Sequence, residues 1–173
     1  VAMRDVADKF IENGMNTIKK NLDRGIKAGK IAAADADAAI RRIKPTLNLE
    51  DCKGADLVIE AVVEDMELKK KIFHEVDSLC PDKTILASNT STLSLTAIAA
   101  ATLSPQRVAG MHFFNPAPLM RLVEVARGAE TTQATLDALI RLAELMGKTP
   151  VLTLDTPGFI VNRVARPFYS EGL

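Results

Sequence analysis

The sequence predicts an α/β domain built on a mainly parallel sheet. Three observations point to it. Apolar runs of strand length alternate with segments of helical spacing, in the order β-α-α-β-α-β-α-β-β-α-β-α. The run from Ala55 to Val63 is apolar almost throughout, as in strands covered on both faces of a parallel sheet. Finally, Asp5, Glu64, the stretch Asn89 to Ser91 and the stretch His112 to Asn115 all fall at the carboxyl ends of strands, where such sheets bind ligands.

Each element follows from local pattern. Val1-Ala-Met-Arg-Asp5-Val reads as the end of a strand already under way, and Val1 is no start methionine, so a piece of a longer protein or the loss of preceding residues is expected. Val6, Phe10, Ile11, Met15, Ile18, Leu22 and Ile26 recur mostly every three or four residues, giving an amphipathic helix that ends around Gly25, Gly29 and Lys30. The alanine-rich stretch Ala33 to Ile43 is a second helix, stopped by Pro45. After the Ala55 strand come Glu64 and Asp65, then a helix over Met66 to Leu79. That helix turns Leu68, Ile72, Phe73, Val76 and Leu79 to one face and leaves Lys69, Lys70 and Lys71 largely outside, with His74 on the surface. Thr84 to Asn89 is a strand ending in the cluster Asn89-Thr90-Ser91-Thr92, followed by a short helix over Thr96 to Ala101.

Two strands follow, one carrying His112 and one Glu124, on either side of a loop with Asn115-Pro116. Thr131 or Thr132 caps a helix with Leu136, Leu139, Ile140, Ala143 and Met146 on one side and Gly147 as its stop. Thr149 to Leu154 is a last strand, Asp155-Thr-Pro157-Gly158 a turn, and Phe159 begins a helix that Pro167 interrupts.

Bulk properties exclude several classes. A length of 173 residues suits one domain or one with the start of another. The balance of 22 basic and 22 acidic side chains gives no reason to expect nucleic acid or a polybasic membrane contact. No apolar run approaches membrane-spanning length, and no signal-peptide pattern opens the chain. Cys52 and Cys80 lie in no paired spacing, which suggests reduced thiols, and with only His74 and His112 available no metal site is expected.

The chemistry centres on His112 and Glu124, twelve residues apart on adjoining strands. A neutral imidazole accepts a proton, and a carboxylate on its other nitrogen fixes the tautomer and stabilises the imidazolium. The plainer reading is a core histidine bonded to a carbonyl and a glutamate on a solvent face. Asp5 likewise admits two readings: a helix N-cap, or the acidic residue that accepts hydrogen bonds from the adenosine ribose of NAD. Ser91 and Asn115 suit either turn hydrogen bonds or the holding of a carbonyl, hydroxyl or carboxamide. Asn162 sits in an otherwise apolar helical turn, where an amide needs partners, and favours a functional role. None of the nine glycines forms a G-x-G-x-x-G loop, so any pyrophosphate loop would precede Val1.

The motifs Asn89-Thr-Ser, Met111-His-Phe-Phe-Asn-Pro, Leu122-Val-Glu-Val and Asp155-Thr-Pro-Gly-Phe-Ile-Val-Asn-Arg, in this order and spacing, resemble the L-3-hydroxyacyl-CoA dehydrogenase family from Val1 to Leu173. The Asn89-Thr-Ser-Thr and Lys148-Thr-Pro segments are similar to the dehydrogenase part of bacterial multifunctional fatty-acid oxidation proteins.

The resemblance implies a Rossmann-like NAD-binding domain over 1–154, lacking its first strand and glycine loop, and the start of a C-terminal helical domain over 155–173. It implies NAD-dependent oxidation of an L-3-hydroxyacyl-CoA to the 3-oxoacyl-CoA in β-oxidation, with His112 as base, Glu124 as its partner, and Ser91 and Asn162 holding the reacting oxygen or the acyl group. Asp5 would bind the adenosine ribose, while Glu64, Lys69, Ser91 and Asn115 would line the cofactor site. The family also implies an acyl-CoA partner, a homo-oligomer or a fatty-acid oxidation complex, and a bacterial cytoplasmic setting. The chain by itself is expected to be inactive. Two alternatives remain: a silent interaction module of this fold, and a dehydrogenase of another 3-hydroxy acid.

Overall fold

The computed structural model describes residues 1–171 and contains two compact units, Val1–Cys52 and Lys53–Leu173. In the first, strand β1 (Ala2–Arg4), helices α1 (Asp8–Lys27) and α2 (Ala33–Arg41) and strand β2 (Lys44–Thr46) precede a short 3-10 turn at Leu49–Cys52. β1 and β2 pair in parallel, with Met3 opposite Pro45. Pro45 therefore does more than end α2: it sits inside a strand that periodicity does not reveal. The pair is only two strands wide, so Pro45 needs no N–H on its outer edge. Gly25 lies inside α1 and does not end it. A Cβ there would come within 2.5 Å of Ile31 Cδ1, so the glycine lets Ile31 close on the helix. The stop is Gly29, at φ +67°.

In the second unit, β3 (Leu57–Glu60), α3 (Met66–Leu79), β4 (Ile85–Ser88), α4 (Leu95–Ala99), β5 (Val108–Phe113), β6 (Leu122–Arg127), α5 (Gln133–Leu145), β7 (Thr149–Leu154) and α6 (Val161–Glu171) follow in order. The sheet runs β3-β4-β5-β6-β7 and is parallel except where β5 meets β6. This is the Rossmann-like, mostly parallel sheet that the sequence predicts. Side chains alternate across it. Met111, Val123 and Val125 pack with Leu136, Leu139 and Ala143 of α5 in one core cluster. Ala126 belongs to another, with Leu95 of α4 and Phe159. Gly110 permits that contact, since a Cβ on it would lie 2.8 Å from Leu95 Cδ1 and 2.9 Å from Ala126 Cβ.

Four expectations change. β3 is an edge strand and not covered on both faces: Ile59 is half-exposed and Val63 is 71% exposed. On α3, Lys69 turns inward to 1% exposure while Leu68 turns out. Asp5 does not cap α1. The N-cap is Ala7, and Asp5 Oδ1 accepts the N–H of Val6 at 2.7 Å. Pro167 lies within α6, which continues to Glu171 without the expected interruption. Of the two candidate caps for α5, Thr132 accepts the N–H of Thr135, while Thr131 donates to the Val108 carbonyl at 2.6 Å.

Two polar anchors hold the second unit, the first of them buried. Arg107 donates to Asp77 Oδ1 at 2.7 Å and to the carbonyls of Asp77, Thr84 and Pro81. Removing one partner of such a pair leaves a buried charge uncompensated. Arg107→Leu is expected to cost about 3–5 kcal/mol, read as a lower midpoint in equilibrium urea unfolding.

Asp155, in the turn after β7, accepts from Ser94 Oγ at 2.8 Å, Leu95 N at 2.9 Å and Thr96 N at 2.8 Å, fixing the start of α4. Burial pushes its carboxyl up, but hydrogen bonds from Thr96, Leu95 and Ser94 outweigh it and hold it below its ordinary value of 3.8. A carboxyl lowered in the folded state adds stability above its unfolded value and loses that contribution as pH falls through the folded one. Urea unfolding across the acid range should show this loss in the parent and a flatter profile in Asp155→Asn.

Candidate active site

β5 and β6 run antiparallel, and their register sets His112 directly opposite Glu124. Opposed residues in such a pair project to the same face, so the two side chains meet. His112 Nδ1 lies 2.8 Å from Glu124 Oε2, with the residues 5% and 0% exposed. The carboxylate can only accept, so Nδ1 carries the proton and Nε2 of the neutral ring presents its lone pair. The other oxygen, Oε1, accepts the backbone N–H groups of Ile160 at 3.0 Å and Val161 at 2.9 Å. Those amides begin α6, where unsatisfied donors and the helix dipole favour an anion. A fully buried carboxylate is thus partnered at both oxygens. The imidazole is flanked by Phe114 and Phe159, with ring centroids 4.6 Å and 5.8 Å away.

His112 opens on a cleft of about 390 Å³ at the carboxyl ends of β3, β4 and β5, with Ser91, Asn89, Asn115, Asn162 and Phe114 among its walls. Asn162 Nδ2 donates to the Ser91 carbonyl at 3.4 Å, and Asn89 Oδ1 accepts the N–H of Phe113 at 2.9 Å. Of the residues expected at the site, His112, Ser91, Asn115 and Asn162 share this cleft, and Glu124 stands directly behind His112.

Glu64 lies beside the cleft, bonded to the backbone of Ser91 in its wall. Its Oε1 accepts from Thr90 Oγ1 at 2.6 Å, Ser91 N at 2.7 Å and Thr92 N at 3.1 Å. Burial pushes the Glu64 carboxyl up, but the bonds from Thr90 and Ser91 and the Lys69 charge outweigh it and leave it lowered. Lys69 stands behind, with Nζ 3.3 Å from Glu64 Oε2 and 2.7 Å from Glu60 Oε1. Asp5 belongs to the first unit, next to the start of α1.

Three functional elements escape the sequence reading. Glu60 is a carboxylate inside an apolar run, a signal that a buried cation must accompany it, and that cation is Lys69. The two α6 amides carry no side-chain signature. Phe159, a bulky residue at φ +46°, is set by the turn that Gly158 (φ +76°) opens.

The lining suits a flat ring bearing a carboxamide: Asn89, Asn115 and Ser91 bring polar groups to a cleft that apolar Ile59 and Ala61 also line. Its volume falls in the range of about 300–1,000 Å³ usual for small-molecule sites. Comparison with known proteins agrees. The family described as "3-hydroxyacyl-CoA dehydrogenase, NAD binding domain" matches residues 1–156. The chain is 47% identical over its whole length to the Bacillus subtilis protein named "Probable 3-hydroxybutyryl-CoA dehydrogenase", of which it covers 60%. It is 43% identical, over 98% of itself and 24% of the relative, to the fatty acid oxidation complex subunit alpha of Psychrobacter cryohalolentis. The crystal structure of 3-hydroxybutyryl-CoA dehydrogenase from Escherichia coli K12 superimposes with a TM-score of 0.96 at 43% identity, over 99% of this chain and 36% of that one. The chain spans at most about 60% of the length of these relatives. With NAD as the cofactor its description carries, the family to which this chain belongs is that of the 3-hydroxyacyl-CoA dehydrogenase NAD-binding domain.

Proposed function

We propose that the protein carrying this chain oxidises an L-3-hydroxyacyl-CoA to the 3-oxoacyl-CoA with NAD, as a step of fatty-acid β-oxidation. The observation that carries this reading is the buried His112–Glu124 pair at the edge of an amide-lined cleft. Nε2 of His112 takes the proton of the 3-hydroxyl. Glu124 holds the ring by Nδ1 and stabilises the imidazolium that forms. Ser91 and Asn162 hydrogen-bond the reacting oxygen as charge develops on it or hold the acyl group, and Phe114 and Phe159 keep water from the ring.

NAD, when bound, supplies the acceptor for the hydride leaving C3. Glu64, Lys69, Ser91 and Asn115 would line its nicotinamide half, and Asp5 would bind the adenosine ribose. Residues 1–154 serve the cofactor, and 155–173 begin the part that covers the acyl group. Among the described residues no helix is long and apolar enough to cross a membrane. A bacterial cytoplasmic enzyme, acting as a homo-oligomer or within a fatty-acid oxidation complex like the Psychrobacter relative, fits these features.

In the full-length protein, His112→Ala should lower kcat for NADH formation from a 3-hydroxyacyl-CoA by roughly 10²–10⁴-fold with KM little changed, measured by NADH absorbance. Unchanged turnover removes the base from this reading.

A further inference from the structure

Glu60 is a buried charged member of the network behind the cleft that the proposed chemistry leaves unused. It sits at the end of β3 between Ile59 and Ala61, which line the cleft, and is itself 5% exposed. Its Oε1 accepts from Lys69 Nζ at 2.7 Å and Val62 N at 2.7 Å, and its Oε2 from Ser88 Oγ at 2.7 Å. Lys69 is shared with Glu64, but at 3.3 Å. One ammonium thus serves two carboxylates and lies closer to the buried one. The trio keeps one net negative charge, and its outer end is Glu64, bonded to the backbone of Ser91 in the cleft wall.

We propose that Glu60 is a positioning residue that, by engaging Lys69, keeps negative charge on the Glu64 rim and so makes the cleft prefer the oxidised dinucleotide. The inference rests on the NAD reading above. Oxidised nicotinamide is a cation and the reduced ring is neutral, while the rest of the molecule is the same. The ratio of the two affinities therefore isolates the charge felt by the ring. When Glu60 is neutral, Lys69 turns its whole charge on Glu64 and the rim loses its net charge. Glutamine keeps the shape of Glu60, can still accept from Val62, and leaves Lys69 paired with Glu64 and with the Val62 carbonyl at 3.3 Å. The effect is accordingly one of charge more than of packing.

The test is calorimetric titration of the full-length protein with NAD⁺ and with NADH, for the parent, Glu60→Gln, Glu64→Gln and Ser88→Ala. Glu60→Gln should raise Kd(NAD⁺)/Kd(NADH) roughly three- to tenfold, as expected for a unit charge removed near a cationic ring at a protein rim. Glu64→Gln should raise it at least as far. Because Glu64 is half-exposed, that variant tests the premise of a charge at the rim independently of how Glu60→Gln folds, and an unmoved ratio in it is sufficient to overturn the proposal. Ser88→Ala removes a hydrogen bond to Glu60 but no charge, and should leave the ratio unchanged. An unmoved ratio in either glutamine variant, or an equal shift in Ser88→Ala, overturns the proposal. A parent that binds neither form overturns the NAD reading itself, whereas binding of both with an unmoved ratio overturns this inference alone.

Discussion

A single buried carboxylate, that of Glu124, sets the terms for the site. A charge with no exposure is costly to bury unless every lone pair finds a partner. Glu124 spends one oxygen on the imidazole of His112 and the other on the amides of Ile160 and Val161. Three separate elements, β5, β6 and the start of α6, are thereby tied to one group. The β5–β6 pair, where the otherwise parallel sheet turns antiparallel, brings them within reach, because its register sets His112 directly opposite Glu124.

Around that tie, the fold delivers polar groups in a consistent direction. Parallel strands end on one edge, and the loops there carry Ser91, Asn115 and Glu64. Each is held from behind. Glu64 gathers the Thr90–Thr92 turn, Asn162 reaches the Ser91 carbonyl, and Asn89 fixes the backbone of Phe113, next to His112. Lys69 and Glu60 form a buried second layer under Glu64. A base and its donors are useful only when held close to working geometry, and such supporting contacts provide that hold.

Much of this is legible in the sequence, for identifiable reasons. Long periodic segments such as α3, and strands such as β7, announce themselves through spacing. The His112–Glu124 pair is visible because two polar residues interrupt two apolar runs on either side of a turn. What stays hidden depends on tertiary partners. Lys69 reads as a surface lysine until the buried charge of Glu60 supplies a reason to turn inward, with Leu68 displaced to the outside. β2 is three residues long and contains a proline, so nothing local marks it; only its pairing with β1 does. β3 reads as doubly covered because its composition is apolar, yet it lies at a sheet edge, and the sequence carries no mark of strand order. The amides that hold Glu124 are backbone groups and have no letter in the sequence at all.

The central claim is that Glu124 fixes the neutral His112 ring with its proton on Nδ1, leaving Nε2 free to take a proton. Nitrogen-15 NMR of the histidine side chains tests it most directly. The account predicts that neutral His112 shows a protonated Nδ1 and an unprotonated Nε2, and that this single tautomer gives way to a mixture in Glu124→Gln. A neutral His112 protonated at Nε2, or a tautomer indifferent to Glu124→Gln, would contradict it.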